Sequence, residues 1–264
     1  MNKVIRAEFG RTINAGLIIA IAGIIFSICF DSFNDLIAGL RNGQGYVGYF
    51  FSNAAFGGMC THYMLPVFTA LPFSVSLCQE RNNKAVSYIV SREGKNRYIF
   101  AKFIVSAISG GFVAVCGTVL LFLMLAMRFP IAGDEFEGAV VSDYFHEWSA
   151  VYYPQLYILT LSILAFCRGV IWSSLALCVS LYTSDFMVVL LSPFLGSYVL
   201  VRIFQIIRVP DMVRPDMILI GQVVIKSSGL TLLIAIAISL TIVTLIGAFF
   251  VGKMKEGVKS GTIY

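Results

Sequence analysis

Positive charge is concentrated in one short segment of this sequence, residues 80–102, which lies between two long apolar stretches. The segment contains six of the 19 lysines and arginines, namely Arg81, Lys84, Arg92, Lys95, Arg97 and Lys102. A small apolar set lies among them, formed by Ala85, Val86, Tyr88, Ile89 and Val90. A basic loop between two membrane spans marks the cytoplasmic side, and an apolar stripe on a helix needs a surface to pack against. The pattern therefore predicts a docking helix rather than a catalytic centre.

A second candidate site is an arginine inside an apolar stretch. Arg168 lies near the middle of the predicted fourth membrane span, where a charge costs from about 3 to more than 10 kcal/mol. The other predicted spans contain no carboxylate, so the candidate contacts are backbone carbonyls, His62, or an acidic group of a substrate or lipid. Arg168 and His62 are therefore predicted to mark a translocation pathway or an interface. A structural role would also explain an arginine at this position: the span is offset and the side chain snorkels to the interface, or it pairs across a dimer.

The motifs of several enzyme classes are missing from the sequence. No GxxxxGK[ST] phosphate-binding loop occurs, since Gly94-Lys95 lacks both the upstream glycine and the following serine or threonine. The two histidines, His62 and His146, form no His-Glu-x-x-His motif, and the six cysteines show no paired CxxC spacing. We therefore expect no catalytic residue, no metal site and no cofactor bound by this chain, and an ATP-driven process would need a separate ATPase.

The composition is typical of a protein embedded in a membrane. Hydrophobic residues make up 58% of the chain and charged residues 12%, against about a quarter charged in soluble domains, and the mean hydropathy is +0.87. Long apolar stretches predict six membrane-spanning helices. They cover about residues 13–30, 53–77, 100–127, 155–182, 186–206 and 228–251. We predict an all-α membrane protein, with one transmembrane domain over residues 1–264 and no nucleic-acid partner.

The distribution of basic residues predicts the orientation of this domain. With both termini in the cytoplasm, the cytoplasmic segments are residues 1–12, 78–102, 183–185 and 252–264. These segments carry twelve lysines and arginines, whereas the three external loops carry five. Short cytoplasmic loops of membrane proteins are enriched in basic residues. The sequence therefore predicts a multi-pass protein of the plasma membrane with both termini cytoplasmic.

Two further segments have patterns of membrane-surface helices. Residues 1–12 form an amphipathic lead-in that suits a helix in the interface plane, or else a solvated flank that orients the first span. The linker between the fifth and sixth spans is too apolar for an ordinary external loop, and Pro210 and Pro215 interrupt it. We expect short re-entrant helices there, because irregular backbone in a membrane must pack against protein or face a cavity.

Small residues and prolines predict where the spans pack and bend. Ser106, Gly110 and Ala114 are spaced by four in the third span, which lets helices approach closely. Pro66 and Pro72 lie within the second span and predict a bend there.

The segment of residues 80–102 resembles the corresponding loop of type-2 ABC exporter permeases. The matching features are Glu80-Arg81, the amphipathic stretch 84–90, residues 91–94, and Arg97-Tyr98 followed by Lys102. The family layout is similar as well, with six spans, an amphipathic N-terminal helix, a tight turn between the fourth and fifth spans, and short re-entrant helices before the sixth. The sequence departs from the family at Lys84-Ala85, where Gly-Thr is usual.

The resemblance implies a transport subunit. Two permeases, this chain and a second copy or paralogue, would pair above two separate ABC ATPase subunits that carry ATP and Mg. The loop would form a cytoplasmic coupling helix. The implied ATPase contacts are Glu80, Arg81, Lys84, Val86, Ile89, Arg92 and Arg97. The implied activity is export of an amphipathic peptide, drug or lipid-like molecule from a bacterial cell, as in antibiotic or bacteriocin resistance.

Two other functions fit the same composition. A secondary transporter or channel would need carboxylates within its spans for ion coupling, and the predicted spans contain none. A noncatalytic membrane anchor or sensor subunit would work without an ATPase. Isolation of the chain with or without an ATPase subunit distinguishes these alternatives from the exporter.

Overall fold

The computed structural model describes residues 2–42, 47, 50, 58–131 and 153–260. Every regular element within these residues is a helix. The helices are α1 (Asn2–Thr12), α2 (Ala15–Asp31), α3 (Phe33–Asn42), α4 (Met59–Ala70), α5 (Ser76–Asn82), α6 (Ala85–Glu93), α7 (Lys95–Ala126), α8 (Pro154–Val179), α9 (Phe186–Ile207), α10 (Pro215–Ile220) and α11 (Ser228–Ser260), with a 3-10 turn at Asp211–Val213. The all-α architecture is therefore as predicted.

Four of these helices, α7, α8, α9 and α11, are long and apolar enough to cross a membrane. They coincide with the predicted third to sixth spans. Helices α1 and α2 meet the same criteria together, as a pair bent by 56°. The described residues thus hold four to five candidate spans, which confirms the membrane-protein prediction, while a sixth span stays a prediction.

The predicted second span, residues 53–77, is divided. Its first five residues lie outside those that the structure describes, and the rest forms α4, a series of turns at 71–75, and α5. Pro72 lies within the turns and has no N–H to donate to a helix. The Ser74 hydroxyl fixes the turns to the bundle by hydrogen bonding to Ser106 on α7 (3.1 Å) and to the carbonyl of Ser173 on α8 (2.9 Å). The bend predicted from the prolines is therefore a break in the helix.

Helices α7 and α8 cross at the predicted small-residue face. Ser106 and Ala114 are fully buried, and an added Cβ at Gly110 would lie 2.4 Å from the side chain of Ser173 and 2.7 Å from the carbonyl oxygen of Gly169. The two backbones therefore touch, which only glycine permits at this distance. This crossing forms the centre of the bundle, with α2 and α4 packed on one side and α11 on the other.

All four segments predicted to be cytoplasmic meet at one end of the bundle, which we call the basic end. Arg11 of α1 pairs with Glu80 of α5, Arg81 reaches the turn between α8 and α9, and the Lys95 ammonium donates to the carbonyl of Lys255 on α11 (2.8 Å). The sequence-based grouping of these segments on one face is consistent with this geometry. The opposite end carries the start of α4, the end of α9, and α10.

Candidate functional site

Helix α6 presents its apolar stripe to its own bundle. Val86 is fully buried, in a cluster that includes Leu77 of α5, Tyr98 of α7 and Phe250 of α11. Ile89 is partly buried against the same cluster. The sequence attributed this stripe to a contact with another chain, whereas the structure shows an internal surface that explains it. Val86 and Ile89 therefore hold α6 in place in this conformation.

The outer face of α6 carries the side chains that a partner can reach. Tyr88 is 68% exposed, and three basic side chains are exposed as well: Lys84 just before α6, Arg92 within it, and Arg97 in the first turn of α7. Arg92 forms an ion pair of 2.9 Å with the neighbouring Glu93. This face joins one large aromatic ring to several cations, which is the composition of side chains that dominate protein interfaces.

Glu80 lies in a buried ion cluster rather than on the surface. Its carboxylate accepts hydrogen bonds from Arg11 (2.6 Å), from Lys102 (2.7 Å) and from the hydroxyl of Tyr98. Glu8 of α1 accepts from the same Arg11 (3.3 Å) and Lys102 (3.2 Å). Lys102 is fully buried, so its charge depends on these two carboxylates.

This cluster joins three helices at the basic end. Two carboxylates face two cations, of which Lys102 is fully buried and the Arg11 side chain is 53% exposed. The ring of Phe73 lies 4.8 Å from the Lys102 ammonium. Sequence reasoning missed Glu8 and Arg11 as members. The one available signal was an acid and a base separated by three residues on an otherwise basic helix, α1, and that spacing is common on solvated helices.

Arg81 stabilises the turn between α8 and α9. Its guanidinium donates to the carbonyls of Ser180 (2.9 Å), Leu181 (3.1 Å) and Thr183 (3.5 Å). These carbonyls follow the C-terminus of α8, where backbone acceptors have no partner within the helix. The positive charge also interacts favourably with the helix dipole there. Arg81 thus links α5 to the α8–α9 turn.

We expect Arg81→Ala to open this turn locally. Loss of a cation from several carbonyl contacts should cost about 2 kcal/mol, because hydrogen bonds to charged groups contribute about 1.5–3 kcal/mol. Hydrogen–deuterium exchange of residues 180–185 in the detergent-purified protein measures the opening. Arg92→Ala is the matched control, since Arg92 is exposed and its ion pair is with the neighbouring Glu93, and it should leave this exchange unchanged. Equal exchange in both variants would contradict the capping role.

Arg168 and His62, the second predicted site, lie on the walls of the same cavities. One cavity of about 200 Å³ is bounded by these two residues from α8 and α4, by Gln205 of α9, and by Asp216 and Gln222 of the linker. Arg168 is 7% exposed, and within the part of the chain that the structure describes its guanidinium has no hydrogen bond or ion pair. The sequence named His62 as a candidate contact of Arg168, and the structure places both described residues on one cavity wall, with no hydrogen bond between them.

The linker before α11 adds a second arginine and a carboxylate to this region. Arg214 forms a two-point contact with Asp216, at 2.7 and 3.3 Å, and a further bond of 3.2 Å to Asp211. The hydrogen bond to Asp216 raises the pKa of Arg214, so this arginine is a cation at every accessible pH. Sequence reasoning missed the pair, since both residues were assigned to an external loop. The Arg-Pro-Asp sequence, with its short separation, was the available signal.

Comparisons with known proteins give no independent assignment of function. No protein-family model matches the chain, and the searches of curated proteins and of solved structures find no match either. Among the residues that the structure describes, no group of three His, Cys, Asp or Glu side chains is placed to hold a metal ion. The function is therefore argued from two sites, the basic end around α6 and the cavity at Arg168.

Proposed function

We propose that this chain is the permease subunit of an ATP-driven exporter of the type-2 ABC class, with its ATPase on a separate chain. The observation that carries the proposal is the position of residues 76–102 at the basic end. This segment contacts α1, the α8–α9 turn and α11, so a force applied to α6 reaches each of the other elements at this end. A loop that served only to orient the spans would not need these links.

The links are rigid because they are buried or charge-assisted. Glu80 and Lys102 connect the segment to α1 through Glu8 and Arg11. Val86 packs α6 against α7 and α11. Helix α6 also leads directly into α7 through Gly94, whose φ of 86° gives a sharp change of direction. ATP-driven movement of a bound ATPase would therefore move α6 and these helices as one body.

The proposed assignment of the sites follows from exposure. Lys84, Tyr88, Arg92 and Arg97 form the ATPase-facing surface, while Glu80, Arg81, Val86 and Ile89 transmit its movement into the bundle. The ATPase supplies ATP and Mg. A second copy or a paralogue completes the permease pair, with six spans per chain and both termini in the cytoplasm of a bacterial cell. The cavity at Arg168 and His62 opens toward the opposite, external end and receives an amphipathic peptide, a drug or a lipid-like molecule.

Tyr88→Ala should weaken binding of the ATPase subunit by about tenfold or more. An exposed aromatic side chain at the centre of a docking helix is the kind of residue whose truncation costs about 2 kcal/mol at an interface. The tagged chain is isolated in a mild detergent from its native host, and a co-purified subunit with a GxxxxGK[ST] motif is identified by mass spectrometry. Its amount per permease is then compared between wild type and variant.

Tyr182→Ala is the matched control, because Tyr182 is also at the basic end and is 66% exposed, against 68% for Tyr88. It should retain the ATPase at the wild-type amount. Absence of any ATPase from the wild-type preparation, or equal losses in the two variants, would contradict the proposed docking surface.

One observation favours a secondary transporter as the alternative. Asp216 is a buried carboxylate on the wall of the Arg168 cavity, and ion-coupled carriers need such a group. Both oxygens of its carboxylate already accept hydrogen bonds from Arg214, so a coupling ion would have to displace this contact. Transport in vesicles that contain the purified chain alone, driven by a pH gradient without ATP, would favour this alternative over the exporter.

A further inference from the structure

Arg168 is a buried cation whose charge is not balanced by the described residues. It is 7% exposed and lies about midway along α8, and no described side chain or carbonyl accepts a hydrogen bond from it. Its guanidinium offers five donors in a planar fork that fits carboxylate and phosphate groups. A buried arginine of this kind is stable when an oxyanion or ordered solvent completes its hydrogen bonds.

The charged side chains on the wall of the polar cavity are Arg168, Arg214 and Asp216. Arg214 is paired with Asp216 on the wall and, at 3.2 Å, with the largely exposed Asp211 outside it. Among the described residues, Arg168 is therefore the cation of this wall that no carboxylate pairs with. The remaining polar wall residues are neutral amides or rings that can donate to an anion, including Gln205, Gln222 and Tyr63. The polar cavity therefore favours an anionic group bound at Arg168.

An apolar cavity of about 160 Å³ adjoins the polar one at Arg168. Its walls are mainly apolar side chains of α8, α9, α10 and α11, including Trp172, Leu200, Leu219 and Ile242. Gly196 lies opposite Trp172, where an added Cβ would be 3.3 Å from the indole ring. A larger residue at this position would therefore occupy part of the apolar space.

We propose that these joined cavities bind an amphiphile whose carboxylate or phosphate group pairs with Arg168 and whose apolar chain lies along Trp172. This names the ligand class of the proposed exporter and rests on the proposed function only for the step from binding to transport. The binding itself needs no ATPase. A binding test without the ATPase can therefore fail while the exporter assignment stands. Binding can likewise be observed even if no ATPase subunit co-purifies and the exporter assignment fails.

Trp172 provides a direct reporter of the apolar chain. The sequence has two tryptophans, so a Trp148→Phe background leaves Trp172 as the single indole. The protein is purified in a neutral maltoside detergent and titrated with a dibrominated fatty acid, whose bromines quench a tryptophan in contact. The methyl ester of the same acid is the uncharged control for partition into the micelle. Saturable quenching by the acid at concentrations about tenfold below those of the ester is expected.

Two variants separate the head group from the chain. Arg168→Gln should weaken binding of the acid by about 10- to 100-fold, since a charge-assisted contact is lost, and Arg168→Lys should fall between it and the wild type. Gly196→Leu should weaken the quenching of Trp172, because the leucine side chain occupies part of the apolar cavity. Arg168 is unchanged in this variant and still pairs with the carboxylate of the acid. Arg128→Gln is the matched control, because Arg128 is exposed at the end of α7, and it should bind as the wild type does.

Competition identifies the source of the oxyanion. Displacement of the brominated acid by phosphatidylglycerol but not by inorganic phosphate assigns the site to a lipid, and displacement by both assigns it to oxyanions in general. Either result supports the proposal, provided that Arg168→Gln abolishes the displaceable binding of the brominated acid. Equal binding of acid and ester, or unchanged binding in a correctly folded Arg168→Gln variant, overturns it. Folding of each variant is checked by its gel-filtration profile and circular dichroism.

Discussion

Glu80→Met is expected to lower the free energy of unfolding by about 3–5 kcal/mol, the usual cost of removing one partner from a buried ion pair. The variant removes the acceptor of three donors, from Arg11, Tyr98 and Lys102. Lys102, at zero exposure, then retains the 3.2 Å contact to Glu8 and the neighbouring ring of Phe73, and loses its shorter contact of 2.7 Å. Denaturant titration of the protein in mixed micelles, followed by circular dichroism, measures the change.

A double variant tests whether the loss comes from the unpaired charge. Glu80→Met combined with Lys102→Met replaces the pair by apolar side chains of similar size, which can be close to neutral for a buried pair. We expect the double variant to be more stable than Glu80→Met alone by about 2 kcal/mol, with the remaining loss due to the unpaired hydroxyl of Tyr98.

The exposed pair Lys253–Glu256 is the matched control, because it joins the same residue types at 2.9 Å on α11. Its side chains are 48% and 70% exposed, so replacing both by methionine should change stability by less than about 1 kcal/mol. If the losses for Glu80→Met and Lys102→Met alone simply add in the double variant, the two charges are not coupled, and the cluster is not the link between α5 and α7 that the proposed mechanism uses.

The spans and their grouping were predictable because their signals are local. The length and hydropathy of an apolar stretch identify a membrane helix without reference to any other part of the chain, and α7, α8, α9 and α11 all carry that signal. Pro72 likewise marked the break in the predicted second span through its own backbone chemistry, whereas Pro66 lies inside α4. Charge counts then grouped the segments that the structure places together at the basic end.

The roles of individual side chains were less predictable, because their partners are distant in sequence. The residues next to Glu80 in the sequence indicate a carboxylate on a loop. Its partners in the structure are Arg11, 69 positions away, and Lys102, 22 positions away. Val86 has the pattern of a docking residue, and only the tertiary fold shows that its surface belongs to α7 and α11. An amphipathic pattern indicates that a face is covered without indicating by which chain.

The cavity at Arg168 was predictable in part. The cost of an intramembrane charge selected Arg168, and His62 followed as a candidate contact for its guanidinium. The apolar linker predicted short re-entrant helices, but hydropathy does not show which side chains α10 brings to the cavity, so Asp216 was not identified. Ile218, Leu219 and Ile220 of α10 are buried, and Asp216 is carried with them to 9% exposure.

Gly169→Ala is expected to destabilise the bundle by about 2–3 kcal/mol and to displace the adjacent Arg168. A Cβ at this position would lie 2.5 Å from the carbonyl oxygen of Gly110 and 2.9 Å from the Cα of Gly111. Both atoms belong to backbone, so no side-chain rotation relieves the clash, and α7 and α8 must separate. Gly169→Leu should exceed what the crossing can accommodate and leave little folded protein.

Gly252→Ala is the control that makes this result specific. Gly252 lies within α11, and an added Cβ there meets nothing within 4 Å, so the same change should be neutral or stabilise the helix by up to about 1 kcal/mol. Opposite signs for the two substitutions, measured by the same micelle titration, identify close backbone contact as the cause. If Gly169→Ala also proved neutral, α7 and α8 would not be held at this distance, and the position of Arg168 beside His62 would lose its structural basis.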